Sequence, residues 1–160
     1  MNFGKIITAM VTPFDDKLEV DYDQAIKLAK KLENEKSSAL LINGTTGESP
    51  TLTNEEVYKL IEKIKPEVNV PIIAGVGTNN TKKTIENIEN IKDLNVDGLL
   101  VIVPYYNKPN QESICAHFKA IAESTELPII IYNVPGRTGA KINIETVVEL
   151  TKINNIVAIK

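Results

Sequence analysis

Six short apolar, β-branched runs recur along the chain, and they constrain its fold more than any other feature. They occupy residues 6–11, 39–42, 72–74, 99–103, 129–132 and 156–159. Their starts lie roughly 30 residues apart, the length of one βα unit. The runs are apolar at successive positions rather than alternating, as strands of a sheet covered on both faces are. Amphipathic helices are expected between them. Asp21 can cap a helix with Ala25, Leu28, Ala29 and Leu32 on one side. Thr53 and Glu56 have capping-box spacing and precede Val57, Leu60, Ile61 and Ile64. Ile85, Ile88, Ile91 and Leu94 step down a third helix. Asn110, after Pro109, precedes Ile114, Phe118 and Ile121, and Asn143 opens a last helix with Val147, Val148 and Leu150. Each spacing gives one buried stripe.

The order is therefore βα five times, then a sixth strand. Two architectures accommodate it: a (β/α)8 barrel family fold represented by its first five βα units plus strand six, and an open doubly wound sheet. A whole barrel needs about 250 residues, so six strands would form an open arc with two unpaired edges. No low-complexity linker divides the 160 residues, which read as part of one domain.

Composition excludes several function classes. Net charge is −3 and the sequence pI about 5.3, with both signs interspersed, so nothing favours nucleic acid or an anionic membrane. No apolar run approaches the roughly 18 residues of a membrane span. The start, Met1-Asn2-Phe3-Gly4-Lys5, leads straight into a strand without a signal-peptide pattern, and Cys115 is the only cysteine. Both features fit a reducing cytoplasm. Cys115 and His117, the only histidine, stand two apart on a helix and face different ways, so both read as structural rather than metal-binding.

The polar motifs follow the runs. After the second comes Asn43-Gly44-Thr45-Thr46-Gly47-Glu48-Ser49, either a cradle of N–H groups for an anion or a plain strand-to-helix turn. It lacks the Gly-Lys-Ser/Thr of a P-loop. After the third, Gly75-Val76-Gly77-Thr78-Asn79-Asn80 starts like a dinucleotide fingerprint but has Asn80 where a third glycine would stand, so it reads as a close-packed turn. After the fourth, Tyr105 and Tyr106 lie between Pro104 and Pro109. They suit a pocket mouth, an interface or core packing equally. After the fifth, Tyr132 ends an isoleucine strand, and Arg137 is the only arginine in the chain. A guanidinium in that loop can grip a carboxylate with two parallel hydrogen bonds. The sixth run ends on Lys160, where a desolvated amine could attack a carbonyl.

Together Gly44-Thr45-Thr46-Gly47-Glu48, Pro104-Tyr105-Tyr106-Asn107, Tyr132-Asn133-Val134-Pro135-Gly136-Arg137-Thr138-Gly139 and Ile159-Lys160 resemble the dihydrodipicolinate synthase family. That family belongs to the pyruvate-dependent class I aldolases, with N-acetylneuraminate lyase. The resemblance runs from Lys5 to Lys160. It implies a (β/α)8 barrel and a lyase condensing pyruvate with L-aspartate 4-semialdehyde in lysine biosynthesis. Lys160 would form the Schiff base and Tyr132 would relay protons, linked through Thr45 to Tyr106. Tyr106 would cross into a neighbouring subunit of a dimer or dimer of dimers. Thr46, beside Gly44, would hold the pyruvate carboxylate, and Arg137 that of the semialdehyde. No metal or organic cofactor is implied. A pyruvate aldolase acting on a sugar acid is the alternative within the class, and Arg137 with Thr45-Thr46 argues against it. A non-catalytic half-barrel is the alternative outside it. Family enzymes continue through two more barrel strands and a helical C-terminal region. Ser49, Asn79 and Tyr105 are compatible with the family's lysine-binding cleft. Asn54 and Lys83 stand where lysine-inhibited members carry histidine and glutamate, so weak or absent feedback is expected.

Overall fold

Each apolar run forms a strand: β1 (Ile7–Ala9), β2 (Ala39–Ile42), β3 (Ile72–Gly75), β4 (Gly98–Ile102), β5 (Ile129–Tyr132) and β6 (Ile156–Ile159). The computed structural model describes residues 3–160, so Met1 and Asn2 of the N-terminal reading lie outside the described residues. Two compact units are present. One runs to Gly75 and includes Asn90–Asp97; the other comprises Val76–Glu89 and Gly98–Lys160.

In the first unit β1, β2 and β3 are parallel, with Ile7 opposite Ala39 and Leu40 opposite Ile72. All of β2 and β3 is buried, as the continuous apolar runs predict. β1 departs from that expectation: Ile7 is exposed, because among the described residues of this unit β1 pairs with β2 alone. Helix α1 (Tyr22–Asn34) begins where the Asp21 carboxylate accepts the Gln24 N–H at 2.9 Å, and it buries Ala25 and Ala29. Helix α2 (Asn54–Ile64) starts with the expected capping box. Thr53 N–H donates to Glu56 Oε2 at 2.7 Å and Glu56 N–H to Thr53 Oγ1 at 3.2 Å. The Thr53 N–H, and then the Thr53 hydroxyl, which donates to the same Oε2 at 2.8 Å, hold the Glu56 carboxyl below its usual range. Val57, Leu60, Ile61 and Ile64 form its buried stripe, and α1 packs on α2.

The start of β3 is tied down by two acids. Asp97 Oδ2 accepts the Ile72 N–H at 2.8 Å and the Lys65 ammonium at 2.5 Å. Glu33 Oε1 accepts the N–H groups of Asn69 and Val70 at 2.7 and 3.2 Å.

In the second unit β4, β5 and β6 are parallel, with Leu99 opposite Ile129 and Ile102 opposite Tyr132. A register irregularity interrupts β5–β6 between Ile129 and Ile130. Helix α4 (Gln111–Glu123) is capped by Asn110, whose Oδ1 accepts the Ser113 N–H at 2.8 Å. It packs on α6 (Ile144–Leu150), and Pro135–Thr138 forms a single turn, α5, that the sequence reading treated as loop. Proline at its first position presets the helical φ. α6 buries Thr146 and Leu150 and leaves Val148 exposed. Helix α3 (Thr81–Ile91) also corrects the expected stripe. Thr84 is buried and Ile85 only half-buried, because Thr84 Oγ1 is used inside the fold, accepting the Thr78 N–H at 2.9 Å. Leu94 lies past the helix, in the 310 turn Lys92–Leu94.

His117 is a core residue of α4, as expected. Its Nδ1 meets Thr81 Oγ1 at 2.9 Å, its ring stands edge-on to Phe118, and Nε2 is buried without a partner. Burial holds the imidazole at about 4, below the ordinary 6.5. The folded chain therefore binds fewer protons than the unfolded chain between those values. The contribution is complete above pH 6.5 and is lost as pH falls toward about 4. Urea midpoints at about pH 7 and about pH 4.5 should drop further for the wild type than for His117→Gln. An equal drop in both would remove His117 from the acid response. Asp97→Ala should cost about 1–3 kcal/mol in urea unfolding, since it leaves the buried Ile72 N–H unpaired. Asp97→Asn, which keeps an acceptor, should cost less.

Candidate active site

Lys160 is placed by backbone pairing. Its N–H donates to Ile131 O at 2.8 Å, and its carbonyl accepts the Asn133 N–H at 3.0 Å, so the β5–β6 ladder runs one residue past β6. Tyr132, at the end of β5, is thereby its lateral neighbour. Lys160 Nζ stands 4.8 Å from the centre of the Tyr132 ring. Lys160, Val157 and Ile159 are exposed in this unit, where among the described residues β6 pairs with β5 alone.

Tyr106 lies in the same unit, in the loop after β4. Its φ of 75° is in the left-handed region, and Asn107 N–H donates across it to Tyr105 O at 2.9 Å. This is a three-residue turn of the rare, strained kind, built on a bulky aromatic residue. Lys108, two residues on, also has positive φ. The Tyr106 ring is not packed into the unit: the residue is 89% exposed. Core packing, one of the open readings, is thereby removed for Tyr106. Two bonds hold the turn. Asn79 Nδ2 donates to Tyr105 O at 3.3 Å, and Tyr106 N–H donates to Thr138 O at 3.3 Å.

Thr138 ends α5, the turn that carries Arg137. Its buried hydroxyl lies 2.7 Å from Ala140 O and accepts the Ala140 N–H at 3.3 Å. Gly139 takes φ 67° and closes the turn through its N–H to Pro135 O at 3.0 Å, a conformation suited to glycine. Arg137 is exposed, and among the described residues its guanidinium has no acidic partner, which leaves its donors available to a carboxylate. The second unit thus brings together Lys160 with Tyr132, and the Tyr106 loop with the Arg137 turn.

The Gly44-Thr45-Thr46 motif belongs to the first unit and forms the 310 turn Thr45–Gly47. Gly47, Glu48 and Ser49 spend their N–H groups inside the turn, on Gly44 O, Thr45 O and Gly44 O. Those three N–H groups are thereby withdrawn from the cradle, in which Thr46 is exposed and Thr45 half-buried. Thr12, which sequence reasoning missed, anchors the turn by donating its buried hydroxyl to Gly47 O at 2.7 Å. A Cβ on Gly47 would lie 3.0 Å from Met10 O, a tighter contact than side chains ordinarily make, which favours glycine.

The lysine-cleft residues are placed as follows. Ser49 opens a second 310 turn and Asn54 opens α2 in the first unit. In the second, Asn79 and Tyr105 are bonded, and Lys83 pairs with Glu86 at 3.5 Å. Among the described residues no cluster of three His, Cys, Asp or Glu side chains is placed to hold a metal, and no helix is long and apolar enough to cross a membrane.

Comparison with known proteins agrees with the motifs. The Dihydrodipicolinate synthetase family matches residues 2–160. The 4-hydroxy-tetrahydrodipicolinate synthase of Oceanobacillus iheyensis is 54% identical over 100% of this chain and 55% of its own length. That of Bacillus subtilis is 49% identical over 100% of this chain and 56% of its own. A crystal structure of dihydrodipicolinate synthase DapA-2 from Bacillus anthracis superposes with a TM-score of 0.97 at 49% identity, covering 100% of this chain and 56% of that one. The Acinetobacter baumannii synthase complexed with pyruvate gives a TM-score of 0.96 at 43% identity, covering 99% of this chain and 55% of that one. The chain spans about half the length of the relatives it matches. Its βα order is part of the (β/α)8 barrel fold, and it belongs to the Dihydrodipicolinate synthetase family, a family of lyases.

Proposed function

We propose that this chain carries the Schiff-base lysine of an enzyme that condenses pyruvate with L-aspartate 4-semialdehyde to 4-hydroxy-tetrahydrodipicolinate, a step of lysine biosynthesis. The observation that carries the reading is the pairing of Lys160 with Tyr132 at the ends of adjacent parallel strands, in a chain 54% identical to a synthase of that name. The Lys160 amine attacks the pyruvate carbonyl, and loss of water leaves an iminium. The iminium draws electrons from the methyl carbon, which loses a proton and becomes the carbon nucleophile. The electron sink is covalent, so the proposal includes no metal or organic cofactor. Tyr132 is the proton carrier beside the amine, with Thr45 and Tyr106 as further hydroxyls of the relay. Thr46 and Gly44 take the pyruvate carboxylate, and Arg137 that of the semialdehyde. The proposal places the enzyme in the cytoplasm as a homo-oligomer. The exposed ring of Tyr106 supports a role across a subunit interface, since strain is maintained there without any packing return within its own unit.

A second reading rests on coverage: the chain spans 55% of the length of its Oceanobacillus relative, and on that reading the 160 residues by themselves are a half-barrel without turnover.

Borohydride reduction in the presence of pyruvate, followed by peptide mass mapping, separates the two. An adduct on Lys160, absent in Lys160→Ala, supports the Schiff-base reading; a folded chain that yields none removes catalysis from this chain. Lysine should inhibit weakly or not at all, because Lys83 puts a cation where an amine effector would approach. Inhibition at sub-millimolar lysine would contradict this. Tyr106→Gly should raise stability by about 1 kcal/mol in urea unfolding, by relieving the positive φ, while lowering turnover. Tyr106→Phe should leave stability unchanged.

A further inference from the structure

We infer that Gln111 is a positioning residue that locks the Arg137 turn to the Tyr106 loop, so that the two move as one body. What Arg137 grips rests on the function proposed above; the lock itself rests on geometry alone. Gln111 is the first residue of α4, directly after the Tyr106 loop. Its side-chain amide makes three bonds, each at 2.8 Å, to residues at least 30 positions away. Nε2 donates to Lys141 O, and Oε1 accepts from Asn143 N–H and from Thr146 Oγ1. All three partners follow the Arg137 turn and lead into α6.

These bonds hold the start of α6 from outside the helix. Asn143 stands at its N-cap without a side-chain cap bond, and the Thr146 hydroxyl is committed to Gln111. Segment 133–143 is then fixed at three points. Asn133 Oδ1 accepts the Ile142 N–H at 3.4 Å at its base. Thr138, 3% exposed, folds its own hydroxyl onto Ala140 and offers its carbonyl to Tyr106 N–H. Gln111 holds the far end. Two of the three points connect directly to segment 103–111. The exposed Arg137 side chain is carried on the backbone of α5. That backbone is the same one that holds Tyr106 in its strained turn. The residue must donate and accept at once, which glutamine does and glutamate does not.

The test compares the wild-type chain with Gln111→Ala and Gln111→Glu by amide exchange with mass spectrometry, with pyruvate–borohydride trapping in parallel. In Gln111→Ala, exchange should quicken about tenfold in both 103–110 and 133–143, with β4 and β5 unchanged. Gln111→Glu keeps the acceptor bonds and loses the donor, so it should fall between. Trapping at Lys160 should stay within twofold of wild type, while KM for L-aspartate 4-semialdehyde rises about tenfold where turnover is measurable. Exchange that quickens in 133–143 alone, or across the whole unit, overturns the lock and reduces Gln111 to an ordinary structural contact. Failure of the wild type to trap pyruvate counts against the Schiff-base reading instead, and leaves the exchange result to decide the lock.

Discussion

The β5–β6 backbone ladder is the interaction on which the site depends. Two hydrogen bonds, Lys160 N–H to Ile131 O and Asn133 N–H to Lys160 O, fix the Lys160 backbone beside Tyr132 before any side chain is considered. Parallel strands point the same way, so their carboxyl ends, and the residues just beyond them, come out on one edge. A slip of one residue would send Lys160 to the opposite face from its present one and part it from the phenol. The irregularity between Ile129 and Ile130 occurs at the far end of the pair, so the register is regular where the chemistry would be.

Backbone strain lies between the regular elements. Of the non-glycine residues with positive φ, Lys36, Glu48 and Asn95 lie at the ends of helical segments, where a left-handed residue is an ordinary terminator. Leu18 lies between β1 and α1, Asn43 directly after β2, and Tyr106 and Lys108 after β4. Asn43 is compensated by its side chain, which donates to Gly75 O at 2.7 Å, and a Cβ on Gly75 would collide with the Asn43 carbonyl. Tyr106 has no compensation of that kind. Its side chain makes no packing contribution, and hydrogen bonds to neighbouring loops retain the turn. Strain that the local sequence does not relieve has to be held by tertiary contacts, and here these come from Asn79 and Thr138.

This division explains which features were legible in the sequence. The strands, the Asp21 and Asn110 caps and the Thr53–Glu56 box were readable, because each is decided by residues within four positions of one another. The motif residues were readable as types: a lone arginine between glycines, paired tyrosines between prolines, a lysine ending an apolar run. Gln111, Thr12 and Asp97 were not, since their partners lie 25 or more residues away and nothing local marks them. The α3 stripe was misread because Thr84 looks polar until Thr78 is seen to use its hydroxyl.

On the proposed reading an amine nucleophile at Lys160 needs orientation, and the β5–β6 ladder supplies it through backbone bonds. Nearness to a phenol does not by itself distinguish Lys160, since Lys59 Nζ stands 4.4 Å from the centre of the Tyr22 ring. Place distinguishes it: Lys160 directly follows one strand of a parallel sheet and lies beside the end of the next, whereas Lys59 is on helix α2. A preference of pyruvate for Lys160 over Lys59 would therefore follow from the ladder rather than from the phenol contact.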